Sequence, residues 1–532
     1  MKNNILGNSY YLYMTEFFSG MAVMAVEIGA ARLLAPYFSS SQIIWTIIIG
    51  TIMIAMALGN YLGGKWADKN PDPAFLYRNI VIASLWIAAI PLFGKYVIIA
   101  ITGALIVAVD THLLIWASFL ACMIIFVYPL FLLGTVTPSL ARYIVRSLDD
   151  SGRIVGTLGA FNTVGSILGT FLPTFVTIPA AGTSLSFLIF SGILLFIGIL
   201  YFISERKHIV PVLLALIFFV LFGYFGNKNN FAFWEKNLVY EGESVYNYLQ
   251  VKETAKEMIF STNVMFGVQS VKAKGTDLTG MYYDYALAAP LMSRGLQSEN
   301  PSMLILGMGA GTYASQCSRY FPDFQIEGVE IDPSIVDISR KYFDLPEDIP
   351  VSIYDGRAYL AGNIKKYDVI MVDAYQDITI PFQMSSAEFF RLVKSHLKEK
   401  GVMVVNMNMQ SSEKGNINEY LADTVASVFP DVWAADVKGM TNRELFASAN
   451  PNMMKDFING TESIKDEELK RFMKEISIGF SPYRAGNHIL TDDKAPVELL
   501  GMKTIDSLIQ NQIEGYRELF KKEGFRGIME ST

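Results

Sequence analysis

The chain has 532 residues, 52% of them hydrophobic, and a formal net charge of −7. That acidic balance gives a nucleic-acid partner no footing, and none is expected. Two cysteines, Cys122 and Cys317, and four scattered histidines, His112, His208, His396 and His488, supply neither a disulfide framework nor metal-ligand spacing, so no metal is expected.

The apolar excess is concentrated before residue 227. That stretch reads as about seven spans of membrane length, near 11–36, 42–64, 79–108, 113–134, 156–178, 184–204 and 209–226. The first is too long for a cleavable signal peptide and is followed by more of its kind. The third is long enough to be a helix plus a re-entrant piece. Basic residues collect in alternate loops: Lys65, Lys69 and Arg78, then Arg142, Arg146 and Arg153, then Arg206 and Lys207. The positive-inside rule assigns those loops to the cytosol. Glu27 and Arg32 fall inside the first span, where charge is costly, so they are expected to pair or to line a substrate path. Gly59, Gly63 and Gly64, and again Gly165 and Gly169, have the spacing of close helix contacts.

Residues 227–300 read as a small β subdomain. Segments such as Tyr246–Val251 and Phe266–Ser270 alternate like antiparallel strands between turns. From 301 to 532 the pattern becomes strand–helix alternation, the mark of a doubly wound sheet. Strands are predicted near 302–307, 325–330, 350–354, 367–373, 401–406 and 431–436, with helices near 311–320, 333–343 and 386–398. The predicted fold class is therefore a multi-pass α-helical membrane domain followed by a Rossmann-like, methyltransferase-type α/β domain with a small β subdomain at its start.

Successive strand ends carry chemistry, as ligand binding at a switch point requires. Leu304-Ile305-Leu306 runs into Gly307-Met308-Gly309-Ala310-Gly311, where small residues let backbone approach a ligand. Val329-Glu330-Ile331-Asp332 ends the next strand in acid, suited to ribose hydroxyls. Asp355 and Gly356 follow the third strand, where adenine is expected. Asp373 ends the fourth, followed by Tyr375, Gln376 and Asp377.

These motifs, with Tyr282-Tyr283-Asp284 and Thr491-Asp492-Asp493, resemble polyamine aminopropyltransferases (spermidine synthases), especially the class fused to a membrane domain. The resemblance covers residues 237–410. It implies decarboxylated S-adenosylmethionine as donor, a di- or polyamine as acceptor, and no metal. By it Asp373 is the catalytic base, Glu330 and Asp355 hold ribose and adenine, and Asn247, Gln269, Asp332 and Gly356 belong to the donor site. Tyr282 and Asp284, with Tyr375, Gln376 and Asp377, belong to the acceptor cleft. Two positions depart from the family. Ala310 stands where an aspartate holds the donor's amine, and Gln376 where the catalytic loop has its second aspartate. The departures keep S-adenosylmethionine and methyl transfer open as an alternative. A polyamine transporter with a nucleoside-sensing soluble domain is another, motivated by Glu27 and Arg32. The implied partners are an amine substrate and the lipid bilayer, and a homo-oligomer is compatible with both. Seven spans with the basic loops inside put the second half outside the cell, whereas an adenosyl sulfonium donor is made inside. The expectation is a multi-pass protein of the cell membrane with a cytosolic enzyme domain, and a segment 209–226 that does not fully cross.

Overall fold

The computed structural model describes residues 5–70, 72–109, 111–145, 148–206, 209–227, 230–264, 267–293, 295–374, 380–411, 414–505 and 518–524. Tyr375, Gln376 and Asp377, and Arg146 and Lys207 of the basic loops, lie outside them. The chain divides into two compact units, Met1–Glu235 with Gly515–Thr532, and Lys236–Glu514. The first break thus falls at residue 235, nine positions beyond the expected 226, and the described residues 518–524 group with the apolar unit.

The apolar unit is built from α1 (Ser9–Phe38), α2 (Gln42–Lys69), α3 (Pro73–Ala108), α4 (Leu113–Gly134), α5 (Val136–Ile144), α6 (Leu148–Leu172), α7 (Ile178–Glu205) and α8 (Ile209–Asn227). Among the described residues, six helical stretches are long and apolar enough to cross a membrane. One of them, Ser151–Glu205, has 55 residues and covers most of α6 together with α7. Its break is Gly182, whose φ of 81° and ψ of 170° are not helical. Contacts with α1 give the directions. Asn162, Gly165 and Gly169 of α6 meet Glu16, Phe17 and Met21 in rising order. On α7, Phe187 meets Gly29 and the Ile197 carbonyl meets the Tyr11 hydroxyl, in falling order. So α6 runs with α1 and α7 against it.

The expectation of a re-entrant piece in 79–108 is not met: α3 is one helix of 36 residues with Pro91 inside it. Nor is 209–226 a piece lying across the bundle. α8 has 19 residues, about 28 Å at 1.5 Å each. It runs antiparallel along α7: Phe219 lies by Gly192, Leu188 by Gly223, and Ala215 by Leu195 and Ile199. Tyr77 stacks on Tyr11, and Arg142 pairs with Asp68. The three basic loops therefore gather at the end where α1 begins, and α8 finishes at the opposite end.

Sequence reasoning singled out Glu27 and Arg32, which are only partly buried, and missed Glu16, which is 0% exposed. Its carboxylate accepts from Thr137 Oγ1 at 2.6 Å and Asn162 Nδ2 at 2.8 Å. Small residues bring α1 and α6 together, since a Cβ at Gly165 or Gly169 would strike the Phe17 or Met21 carbonyl. Gly59 and Gly63 do the same for α2 against Gly134 and Thr135. The expected packing faces are thus real contacts.

The second unit carries β1 (Leu238–Glu243), β2 (Tyr248–Glu253), β3 (Glu257–Ser261), β4 (Ser270–Ala273), α9 (Tyr282–Ala286), α10 (Ala288–Met292), β5 (Ser302–Leu306), α11 (Thr312–Tyr320), β6 (Gln325–Glu330), α12 (Pro333–Phe343), β7 (Val351–Ile353), α13 (Gly356–Ala361), β8 (Tyr367–Val372), α14 (Ala387–Ser395), β9 (Leu397–Met407), α15 (Ile417–Val428), β10 (Asp431–Asp436), β11 (Arg443–Ser448), α16 (Met453–Ser463), α17 (Glu467–Ser477) and β12 (Ser481–Pro482). Strands β1 to β4 form an antiparallel sheet in sequence order. The larger sheet has the order β12-β10-β11-β9-β8-β5-β6-β7. Its β7, β6, β5, β8 and β9 are mutually parallel, and β11, β10 and β12 each pair antiparallel with the neighbour before them, β9, β11 and β10. Every residue of β5 and β8 is buried, as a parallel strand covered on both faces demands. Because β6 flanks β5 on one side and β8 on the other, the strand order reverses at β5, and a crevice opens at the carboxyl ends there.

Gly169→Val should force α1 and α6 apart. Overpacking of this kind costs about 1–3 kcal/mol. A lower midpoint of thermal unfolding for the purified full chain checks it, with Gly152→Val, where nothing lies within 4 Å of the added Cβ, as the control.

Candidate active site

A cavity of about 200 Å³ sits at those carboxyl ends. Gly307 closes it from below. Its φ is +86°, and a Cβ there would lie 2.5 Å from the Asp373 carbonyl oxygen, so only glycine lets the turn after β5 lie against the end of β8. Gly309 donates its amide to Glu330 Oε2 at 3.0 Å, and Asp332 its amide to Glu330 Oε1 at 3.1 Å. Glu330 is 7% exposed, and burial pushes its carboxyl up to about 7 against those two hydrogen bonds.

Asp373 stands at the other flank. Tyr282 Oη donates to its Oδ2 at 2.6 Å and Asn406 Nδ2 to its Oδ1 at 2.9 Å. Burial pushes this carboxyl up to about 7, while both hydrogen bonds pull it down. Burial, reinforced by the Asp373 charge, holds the Tyr282 phenol well above its ordinary range, so it is a donor at neutral pH. The site therefore holds a carboxylate that can take up a proton near pH 7, fixed in orientation by two neutral donors.

Asn247, Gln269, Asp355 and Gly356 also line the cavity, as expected. Asp355 additionally caps α13 by accepting from the Ala358 amide at 2.8 Å. Arg357, next in sequence, forms a two-pronged pair with Asp492 at 2.7 and 2.6 Å, which ties the Thr491-Asp492-Asp493 motif to the start of α13.

Three expected ligands serve elsewhere. Asp332 is 0% exposed and does not line the cavity. It caps α12 through the Ser334 amide and takes hydrogen bonds from Ser244 and Asn247, anchoring the β1–β2 turn. Asp284, also 0% exposed, is filled by the Thr279 and Gly280 amides and Gln316 Nε2. It shapes the turn before α9 rather than the acceptor cleft. Gly311 starts α11 with a φ of +79°, against Leu345 and away from the cavity. Ala310 is 0% exposed in an apolar cluster with Leu249, Phe260, Ile338 and Phe343, and does not line the cavity.

Sequence reasoning missed Asn406. It ends the predicted strand 401–406, so the strand-end rule carried one strand further would have found it. Tyr246, Thr262 and Tyr354 line the cavity from loops, and Gln383 from a short 3-10 turn, with no comparable signal. Remote from the cavity, folding gathers Glu419, Asp423 and His488, with ligand atoms within 4.8 Å of one another. Asp423 already accepts from Tyr483 Oη and the Gly486 and His488 amides. Histidine spacing could not reveal this group, the one such cluster among the described residues.

A family model described as Spermine/spermidine synthase domain matches residues 284–437. A probable polyamine aminopropyl transferase of Bifidobacterium longum is 50% identical over 351 residues, 63% of this chain and 78% of the relative. The eEF1A lysine and N-terminal methyltransferase of Homo sapiens is 30% identical over 164 residues, 28% of this chain and 23% of that protein. Among solved structures, spermidine synthase from Thermotoga maritima is similar at 19% identity and a TM-score of 0.38, covering 46% of this chain and 84% of that one. The mixed sheet, glycine turn and strand-end acids define a Rossmann-type transferase. The chain belongs to the polyamine aminopropyltransferase (spermidine synthase) family.

Asn406→Leu removes a hydrogen bond that favours the charged form of Asp373. Loss of such a bond is worth about 1.5–3 kcal/mol, or roughly one to two pH units. The Asp373 carboxyl should titrate higher, and ¹³C carboxyl resonances followed against pH check it.

Proposed function

We propose that this chain transfers an aminopropyl group from decarboxylated S-adenosylmethionine to a di- or polyamine, with Asp373 as general base. The observation that carries this reading is Asp373 itself, a carboxylate with a pKa near 7 at the end of β8, oriented by Tyr282 and Asn406. Glu330 at the end of β6 suits the ribose hydroxyls, and Asp355 suits the adenine amino group. Asn247, Gln269 and Gly356 complete the donor side. The acceptor amine arrives protonated, and Asp373 takes that proton. The nitrogen lone pair then attacks the carbon beside the sulfonium, the new N–C bond forms, the C–S bond breaks, and methylthioadenosine leaves. Acceptor roles for Tyr375, Gln376 and Asp377 belong to the same proposal, on the family resemblance alone.

Ala310 favours a second reading. With its side chain in the apolar cluster, the glycine turn offers no carboxylate to a donor's amine, and methyltransferases are among the relatives. Direct binding of the two donors separates the readings: tighter binding of S-adenosylmethionine than of its decarboxylated form would favour methyl transfer.

We also propose that Met1–Glu235 spans a membrane. Its helices carry large apolar side chains outward, Met53, Phe175, Phe196 and Val220 each more than 60% exposed. The expectation of a cytosolic enzyme domain depended on 209–226 stopping short, and α8 is long enough to pass alongside α7. By the charge rule, the chain then leaves the bundle on the side away from the basic loops. Cys317 is fully buried and unsuited to labelling, whereas Lys465 is exposed. A cysteine at Lys465 should react with a membrane-impermeant thiol reagent in intact cells. Protection until permeabilisation would restore the cytosolic assignment and require one pass fewer.

The full chain, given decarboxylated S-adenosylmethionine and putrescine or spermidine, should release methylthioadenosine. Asp373→Asn should lower that rate about a hundredfold or more while donor binding persists. Because the base works only when deprotonated, the rate should rise with pH through about 7. No turnover with any di- or polyamine would refute the assignment.

A further inference from the structure

Glu444 lies on β11 directly opposite Asn406 of β9 and is 0% exposed. Both of its carboxyl oxygens lack a hydrogen-bond partner among the described residues. Asn406 is the same residue whose amide holds Asp373, and α9, which carries Tyr282, packs on β11. The titratable groups that face Glu444 are Asp373 from the end of β8, Tyr282 from α9 and Tyr313 from α11. All three line the cavity. Cys317 of α11 lies beyond them, bonded to Tyr313. Arg443, its neighbour on the strand, turns away to Asp436 of β10. Asp284 of α9 is filled by Thr279, Gly280 and Gln316, and Glu419 and Asp423 of α15 are engaged with Gly415, Tyr483 and His488.

A carboxyl buried without a partner is costly in either form. It persists where something outside the described fold answers it. The answer here must be positive, because the cavity already contains Asp373, Glu330 and Asp355 and the glycine turn contributes no further acid. We propose that Glu444 is a positioning residue for the amine, a second acid behind Asp373 that keeps its proton in the free enzyme and releases it to solvent when a cationic amine enters the cavity. The proposal deepens the aminopropyl reading and rests on it for the class of ligand. Burial and the Asp373 charge both hold the proton on Glu444 when the site is empty. An ammonium beside Asp373 acts in the opposite sense on both acids. The step is a proton transfer only: the carboxyl O–H bond breaks, the proton goes to water, and Glu444 forms no bond to substrate. The resulting charge draws the amine toward the base without touching it.

The test uses the full chain with methylthioadenosine and putrescine, a pair that binds without turnover. Calorimetry in two buffers of different ionisation heat counts the protons released on putrescine binding. The wild type should release more than Glu444→Gln, by about half a proton or more. Glu444→Gln should raise the KM for putrescine about tenfold and alter kcat much less. Glu444→Asp keeps an acid and should keep the proton release, including where Glu444→Gln fails to fold. An active Glu444→Gln enzyme with the proton count, KM and pH profile of the wild type would overturn the inference. So would a folded Glu444→Asp that releases no more protons than the glutamine variant. A wild type that neither binds nor turns over putrescine or any other di- or polyamine would instead sink the aminopropyl reading, and this inference with it.

Discussion

The catalytic unit depends on one close backbone contact. The turn after β5 lies against the end of β8 because Gly307 has no side chain to keep them apart. Glu330 on one side and Asp373 on the other thereby face a single cavity, although 43 positions separate them in sequence. The parallel order of β6, β5 and β8 brings their carboxyl ends to the same edge, and the glycine lets that edge close. Any larger residue at 307 would need to displace the Asp373–Ala374 backbone, and with it the Asp373 carboxyl.

The chemistry of this site follows from burial more than from charge pairing. Glu330, Asp373 and Glu444 are all shifted upward by loss of water, and among the described residues no lysine or arginine lines the cavity to offset it. Neutral donors hold the first two instead: backbone amides at Glu330, and Tyr282 with Asn406 at Asp373. Such a site keeps its acids close to their proton and favours ligands that bring hydroxyls or positive charge. A cationic amine and a ribose meet both demands.

The apolar unit is organised by a different constraint. Its helices have little polar surface to direct packing, so small residues decide which backbones touch: Gly165 and Gly169 for α1 with α6, Gly59 and Gly63 for α2 with α4. Gly182 breaks a 55-residue apolar stretch into two helical segments of opposite direction. Inside the bundle one carboxyl oxygen of Glu16 accepts from Thr137 and Asn162, which come from two other helices.

Periodicity and composition were enough to read the long apolar helices, the small sheet and the alternating strands and helices, because each is a local pattern of burial. α12 at Pro333–Phe343 and β6 at Gln325–Glu330 match their predicted bounds for that reason. The strand-end rule likewise identified Glu330, Asp355 and Asp373, since the end of a parallel strand is a place in the fold as well as in the sequence. What a strand end does not reveal is which way the next side chain turns. Asp332 and Asp284 sit beside cavity-lining residues in sequence, yet each turns inward to satisfy backbone amides. Asn406 reaches Asp373, and Glu444 lies opposite Asn406, only because β9 and an antiparallel β11, read as neither strand nor site, pair there. Local sequence determined the elements and the acids at their ends. The tertiary structure decided which acids face a ligand and which stay buried, because hydrogen-bond partners and loss of water come from residues distant in the chain.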